Sequence, residues 1–369
     1  VLGPYTDADF AFSPFVAFYE VTRACDLICK HCRACAQPIP HRNELKTSES
    51  LKLLDQFASF PKPPTLVFTG GDPMKRADIF DLVKHANDIG LVTAMTPSAT
   101  PLVTREALKK LKQSGLSRLA VSLDSSNDEI HDHFRGVEGS FNRTLEIMLD
   151  AREAGLSLQV NTTITRRNIH QVDEMASMLG PLGVVMWSVF LLVPIGRGLM
   201  EERIAAEQYE ELFMKLWHHA QTQPYGIKTT EAHHYRRFVM QKFGDPLMNG
   251  KGGNTARPDR VHRAPLGVND GRGVMFVSHT GRVQPSGFLP VVCGVFPDES
   301  IVDVYQKSDT FVRLRDKSLL RGKCGRCEYK EVCGGSRARA FAISRDILAS
   351  EPDCVYQPQP IRRSVPCLV

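Results

Sequence analysis

The sequence predicts an α/β protein: a parallel sheet with helices outside it, curved or closed as a barrel, followed by a smaller C-terminal module. Three observations carry that reading. Apolar, β-rich runs alternate with helix-period segments through the first half of the chain. Beyond about residue 200 that alternation gives way to longer helical patterns, a Gly/Pro-rich stretch and a hairpin pattern. The ten cysteines gather mainly at the two ends, four within 25–35 and three within 324–333, with Cys293, Cys354 and Cys367 apart.

Taken in order, residues 1–14 form an N-terminal arm and residues 15–200 the barrel core. Strands are expected at 15–21, 65–69, 91–95, 118–123, 158–163 and 184–192, each rich in Val, Ile, Leu, Phe or Thr. Helical periodicity fills the gaps at 48–60, 77–89, 104–114, 141–154 and 170–179. Six βα units of this kind place chemistry at the carboxyl ends of the strands. Residues 201–273 read as a bridge, with helices at 205–221 and 232–243 and then a loop over 244–273 rich in Gly, Pro, Asn and Arg. A hairpin of 274–277 and 282–285, turned by His279-Thr280-Gly281, opens a module running to 360, with a tail over 361–369.

Composition narrows the function classes. A net charge of +5 suits an acidic small molecule or peptide and is too weak to argue for nucleic acid. No apolar run approaches the ~18 residues of a transmembrane helix. The first residues have neither a basic n-region nor an apolar h-region, so no signal peptide is expected. Tightly clustered cysteines without a secretory signal favour metal ligation in a reducing compartment over disulfides, and the cytoplasm is the expected location.

Cys25, Cys29 and Cys32 form a C-x3-C-x2-C triplet directly after the first expected strand. Three thiolates so spaced can hold three irons of a [4Fe–4S] cluster and leave the fourth open. A zinc site would need a further ligand close by; Cys35 is the candidate that would close the triplet. The triplet, with the motifs that follow it in register, resembles the radical S-adenosylmethionine (SAM) enzymes over about residues 15–194. The resemblance implies a partial TIM-like (β/α)6 barrel. It also implies SAM chelated to the open iron and cleaved by one electron to a hydrogen-abstracting 5′-deoxyadenosyl radical. Cys35 then becomes a small buried thiol or a neighbour of the cluster.

Further assignments follow from the same resemblance. His31, just before the last cysteine, stands where an aromatic usually faces adenine; as bare sequence it is a loop histidine. Gly70-Gly71-Asp72-Pro73 stands for a Gly-Gly-Glu-Pro motif whose carbonyls and carboxylate receive the SAM ammonium, with Asp72 one methylene shorter than usual. Ser122 and Asn161 at strand ends are implied contacts of the SAM carboxylate or ribose, and Arg135 a partner for that carboxylate. Leu192, in Val189-Phe190-Leu191-Leu192-Val193-Pro194, lies in the segment that flanks adenine; the same run is otherwise a buried strand.

Cys324, Cys327, Cys333 and Cys354 form a C-x2-C-x5-C-x20-C set that completes either a tetrahedral zinc site or a fully ligated [4Fe–4S] cluster. Downstream of a radical SAM core the set resembles an iron–sulfur domain of SPASM or twitch type, which implies a cluster and so two [4Fe–4S] clusters in all. Arg337 stands where a fuller SPASM pattern would place another cysteine, so one auxiliary cluster is expected there.

Gln159–Thr165, Phe190–Gly198 and Gly322–Tyr329, extended by Cys333–Ala340, resemble the tetrapyrrole branch of the family. That branch implies an oxidoreductase or lyase acting on a carboxylated tetrapyrrole, such as iron-coproporphyrin in haem biosynthesis, with flavodoxin or ferredoxin as electron donor. Arg337, with Arg339, Arg236, Arg237 and Arg197, is a candidate for substrate carboxylates, because a guanidinium fork fits them. His233 is a candidate acid–base group or iron neighbour, with His234 and Tyr235 close enough to exchange roles. A maturase acting on a ribosomally made peptide is the alternative; residues 1–14 are too short for the peptide-binding domain that would favour it.

Overall fold

The computed structural model describes residues 5–245 and 267–359. The alternation resolves into β1 (Val16–Glu20), α1 (Thr47–Ala58), β2 (Thr65–Thr69), α2 (Ile79–Asp88), β3 (Thr93–Met95), α3 (Arg105–Gln113) and β4 (Arg118–Ser122). It continues through α4 (Asp128–Arg135), α5 (Ser140–Glu153), β5 (Ser157–Ile164), α6 (Val172–Leu179), β6 (Met186–Leu191), α7 (Ala206–Thr222), β7 (Gly226–Thr230) and α8 (His234–Phe243). Beyond these lie β8 (Asn269–Asp270), β9 (Gly273–Val277), β10 (Arg282–Gln284), β11 (Gly294–Val295), α9 (Ile301–Lys307), α10 (Asp309–Arg315), α11 (Gly322–Arg326) and α12 (Arg337–Ser344).

Strands β1 to β7 run parallel in chain order, so their carboxyl ends share one rim. That makes seven parallel core strands rather than six; β7, with its Gly-Ile-Lys-Thr-Thr sequence, is too short and polar to stand out. The sheet is an open barrel whose path runs from β11 to β7. Strand β9 pairs with β1 in parallel, so the C-terminal hairpin extends the barrel's own sheet.

Burial explains the curvature. In β5 the residues alternate strictly between buried and half-buried, with Leu158, Val160, Thr162 and Ile164 towards the helices. Gln159, Asn161 and Thr163 then line the inner face, and pairing sets Ser122, Asn161, Ser188 and Lys228 side by side on it. Helices close the outer face: Leu53, Leu54 and Phe57 of α1, Leu82 and Val83 of α2, and Leu108 and Leu111 of α3 join one continuous core. Helix α4 lay hidden in the sequence because it is a single eight-residue segment; Asn127 caps its start and Gly136, at φ 72°, ends it.

The extreme termini of the arm, the loop over 244–273 and the tail fall wholly or partly outside the described residues, as does Cys367. Among the described residues no helix is long and apolar enough to cross a membrane.

Candidate active site

The rim at the carboxyl ends of β1 to β7 carries the cysteine triplet, the Gly70–Asp72 loop, Ser122 and Leu192. The cysteine loop leaves β1 and is stitched to its neighbours by backbone hydrogen bonds. Cys25 N–H donates to Gln37 O (2.8 Å), Gly71 N–H to Thr22 O (2.8 Å) and Asp72 N–H to Ala24 O (2.7 Å). A Cβ on Gly71 would sit 2.4 Å from Ala24 O, so the Gly-Gly pair is required by its approach to the cysteine loop. Gly196 closes the loop from the far side. It has φ 55°, a Cβ there would lie 2.5 Å from Arg33 O, and the next amide, of Arg197, donates to Cys32 O (3.0 Å).

Cys25, Cys29 and Cys32 cluster with Leu27 and Ala36 in a small apolar nest. Burial raises the Cys25 and Cys29 thiols, so they are protonated until a metal displaces the proton. Donors already point at the sulfurs: Leu27 N–H to Cys25 Sγ (3.4 Å), Ala36 N–H to Cys32 Sγ (3.5 Å) and Arg135 Nη1 to Cys29 Sγ (3.7 Å). A thiolate-ligated cluster needs such donors, and the donor set fits one. Cys35 is exposed, at φ 47°, rather than buried beside the others.

Several expectations are corrected in detail. Asp72 is fully buried, and its carboxylate accepts from the Met74 amide (3.1 Å), the Ser98 amide (3.2 Å) and the Thr100 hydroxyl (2.7 Å). These three bonds brace the glycine loop and leave one acceptor position on Oδ2. Arg135 is held by the buried Asp124, whose other oxygen accepts from the Thr163 amide (2.8 Å); its charge is directed at Cys29 and not at an open carboxylate site. The backbone oxygen of Leu192 accepts from Arg339 Nε (3.4 Å), so this group serves the seam with the C-terminal module. His31 stacks on Phe134 at 4.1 Å, which occupies one face of its ring; burial and the Arg135 and Arg197 charges keep the imidazole neutral. Ser122 and Asn161 are half-buried neighbours in register on the inner face, and Asn161 Oδ1 accepts from Gln159 Nε2 (2.8 Å).

Ser98, just past β3, escaped sequence reasoning. Its hydroxyl donates to Gly71 O (3.0 Å) and lies 3.3 Å from Cys25 Sγ, joining the glycine loop to a ligand thiol. Asp124 escaped likewise. Its place at a strand end, beside the quoted Ser122, was the available signal.

The arginines proposed for substrate carboxylates are all used internally. Arg337 is buried and donates through Nε and Nη1 to the carbonyls of Gly335 (3.3 Å), Ile347 (3.2 Å) and Ala349 (2.6 Å), while its Nη2 has no partner among the described residues. Arg339 is wholly buried between Glu351 (3.2 Å) and Asp353 (3.1 Å) and holds the ends of β6 and β7 through carbonyls. Arg237 pairs with Glu210, Arg236 donates to Val268 O (2.8 Å), and Arg197 donates to Cys29 O (2.8 Å) and Ala36 O (3.1 Å). Loop carbonyls gathered away from water need donors, and a guanidinium supplies five.

Cys324, Cys327, Cys333 and Cys354 line one small hollow, which His234, Arg237 and Lys323 also line. Gly335 N–H donates to Cys333 Sγ (3.3 Å) and Glu351 N–H to Cys324 Sγ (3.2 Å). Burial pushes the Cys333 thiol up to about 12. Among the described residues no three His, Cys, Asp or Glu side chains converge tightly enough to share one metal ion. His233 begins α8 at the end of β7, half-buried, with Nδ1 unpartnered among the described residues and its ring kept neutral by burial.

Comparison with known proteins agrees with this arrangement. Residues 19–179 match the Radical SAM superfamily. The chain is 40% identical over 367 residues (99% of this chain, 98% of the relative) to the AdoMet-dependent heme synthase of Nitratidesulfovibrio vulgaris. It is 36% identical over 349 residues (94% and 97%) to that of Methanosarcina barkeri. Its fold is similar to that of Streptococcus suis SuiB bound to S-adenosylmethionine, with a TM-score of 0.73 over 93% of this chain and 78% of that one at 14% identity. On that full-length similarity, the chain belongs to the radical SAM superfamily and, within it, to the family of AdoMet-dependent haem synthases.

Proposed function

We propose that this protein is a haem synthase in the literal sense: it converts propionate side chains of iron-coproporphyrin to vinyl groups at the expense of SAM. The observation that carries the reading is 40% identity along the whole chain to an AdoMet-dependent heme synthase, with the cysteine triplet and glycine loop intact. Cys25, Cys29 and Cys32 would hold a [4Fe–4S] cluster which, with SAM bound, supplies the hydrogen-abstracting radical. The residues around it hold and orient. Gly70 and Gly71 bring their backbone against the cysteine loop, Ser122 and Asn161 offer polar groups on the inner face, and Arg135 offsets charge at Cys29. The apolar nest of Leu27 and Ala36 keeps water from the sulfurs.

Cys324, Cys327, Cys333 and Cys354 would hold a second [4Fe–4S] cluster. Four thiols lining one hollow supply the full ligand set of such a cluster, and the resemblance of the C-terminal module to an iron–sulfur domain favours it over a lone zinc. After hydrogen abstraction the propionate loses CO2 and one electron to become a vinyl group, and this cluster would take the electron. His233, at the barrel mouth, is the group proposed to approach the substrate. Flavodoxin or ferredoxin would reduce the first cluster, and oxygen-sensitive clusters suit the reducing cytoplasm.

The test is anaerobic reconstitution with SAM, dithionite and iron-coproporphyrin, read by mass spectrometry. The expected product is lighter by one CO2 and two hydrogens per converted side chain, with 5′-deoxyadenosine formed alongside. SAM cleavage that leaves iron-coproporphyrin unchanged would sink the reading, and modification of a short co-purifying peptide would turn it towards the maturase alternative.

A further inference from the structure

We propose that His234 is a positioning residue that donates a hydrogen bond to the C-terminal cluster and thereby sets how readily that cluster takes up an electron. The inference rests on the reading of the four-cysteine site as a [4Fe–4S] centre.

His234 is 1% exposed, and neither ring nitrogen has a partner among the described residues. A buried imidazole left so forfeits its hydration, a cost of about 1–3 kcal/mol that folded proteins seldom accept. The surroundings offer no relief. The Tyr209 and Phe213 rings lie 4.9 Å away on each count, and the Tyr209 hydroxyl is already committed to Asp353 (2.9 Å). His234 also lines the hollow shared by Cys324, Cys327, Cys333 and Cys354. The missing partner therefore belongs to whatever fills that hollow, and cluster sulfur is an acceptor. Whatever its protonation state, an imidazole carries at least one N–H to give.

Arg237 supports the same picture. It stands three residues on, on the same face of α8, and its Nη2 lies 3.9 Å from Cys354 Sγ while Glu210 fixes the guanidinium in place. The first turn of α8 thus presents an imidazole and a charge to one side of the hollow. Helix α8 also begins where β7 ends, so His233 at the barrel mouth and His234 at the cluster are consecutive residues. A centre tuned from α8 is one peptide unit from the substrate side.

The step concerned is one-electron uptake by the oxidised cluster, with no bond made or broken. The added electron raises the negative charge on sulfur, so a donated N–H stabilises the reduced state more than the oxidised one, and its loss lowers the midpoint potential.

The experiment is an EPR-monitored redox titration of the full-length, anaerobically reconstituted protein with SAM present to separate the two cluster signals. Wild type is compared with His234→Phe, which fills the space between Tyr209 and Phe213 without a donor, and with His234→Gln, which keeps an N–H. In His234→Phe the second cluster should become about tenfold harder to reduce, about 59 mV for one electron, with the first cluster unmoved. His234→Gln should recover most of that shift. Where His234→Phe fails to retain the cluster, His234→Leu carries the same comparison. An unchanged potential in variants with full iron and sulfide, or an equal fall in His234→Gln, overturns the assignment. Zinc in place of iron and sulfide in wild-type protein instead overturns the cluster reading on which it rests.

Discussion

The two cysteine regions are built on opposite plans. The N-terminal triplet lies on one short loop in an apolar nest, and backbone hydrogen bonds from the glycine loops hold that loop in place. The C-terminal four come from two segments around one hollow, and side chains with formal charges or orphaned nitrogens line it with them. The first plan offers three cysteines and leaves a fourth ligand position to something other than a cysteine. The second supplies four cysteines and sets charged side chains around them. A metal centre with an open position and one ligated fully by protein would divide in that way.

The comparison can be broken most directly by removing one ligand from each region. Cys29→Ala should reduce 5′-deoxyadenosine formation to background, whereas Cys354→Ala should retain SAM cleavage and lose porphyrin product. Quantifying both products in parallel checks this, and abolished SAM cleavage in Cys354→Ala would show that the regions do not divide the work.

Acid should strike the triplet side through His131, which is fully buried and whose Nδ1 accepts from the Asp124 amide (3.1 Å) behind the Arg135 pair. Burial and the Arg135 charge lower its pKa to about 3, below the ~6.5 of an unfolded histidine. Between those values the unfolded chain binds the extra proton. The stabilisation is therefore complete above pH 6.5 and declines as pH falls, by about 1.4 kcal/mol per unit, towards the folded pKa. Denaturant midpoints of wild type and His131→Gln across pH 4 to 7 should converge at the acid end; parallel curves would count against His131.

Gly71→Ala tests how far the triplet depends on backbone approach. With backbone oxygen 2.4 Å from the new Cβ, the loops must part, at a cost of about 3 kcal/mol. Lower thermal stability with reduced iron at the first site and an undisturbed second site is expected. Ser98→Ala should have the smallest effect, about 1 kcal/mol for the hydroxyl shared by Gly71 O and Cys25 Sγ, seen as a modest loss of stability. A loss of several kcal/mol would mean that the hydroxyl holds more than those two groups.

Much of the barrel was legible from periodicity. The expected strand at 65–69 coincides with β2, and those at 118–123 and 158–163 lie within a residue of β4 and β5 at each end. Long amphipathic stretches report their own burial, as in α3 with Leu108 and Leu111 inward. Short, polar elements do not: β7 is held by pairing with β6. The strand expected at 274–277 is β9, but its parallel pairing with β1, more than 250 residues away in sequence, could not be read from the chain.

What the sequence determined by itself is the ligand chemistry, since cysteine spacing on a short loop fixes which sulfurs can meet, and the alternation of strand and helix that brings them to a rim. Only the tertiary structure decided what the charged residues do. Arg339 read as a substrate contact because a guanidinium suits a carboxylate, yet it is bound by Glu351 and Asp353 and by the carbonyls at the ends of β6 and β7, while Arg337 donates to three nearby loop carbonyls. His234 read as a spare for its neighbour, yet it lines the second cysteine site, and neither ring nitrogen has a partner among the described residues. Spacing is a local property and survives in the sequence; the partner of a buried charge is a long-range one, chosen only when the chain closes around it.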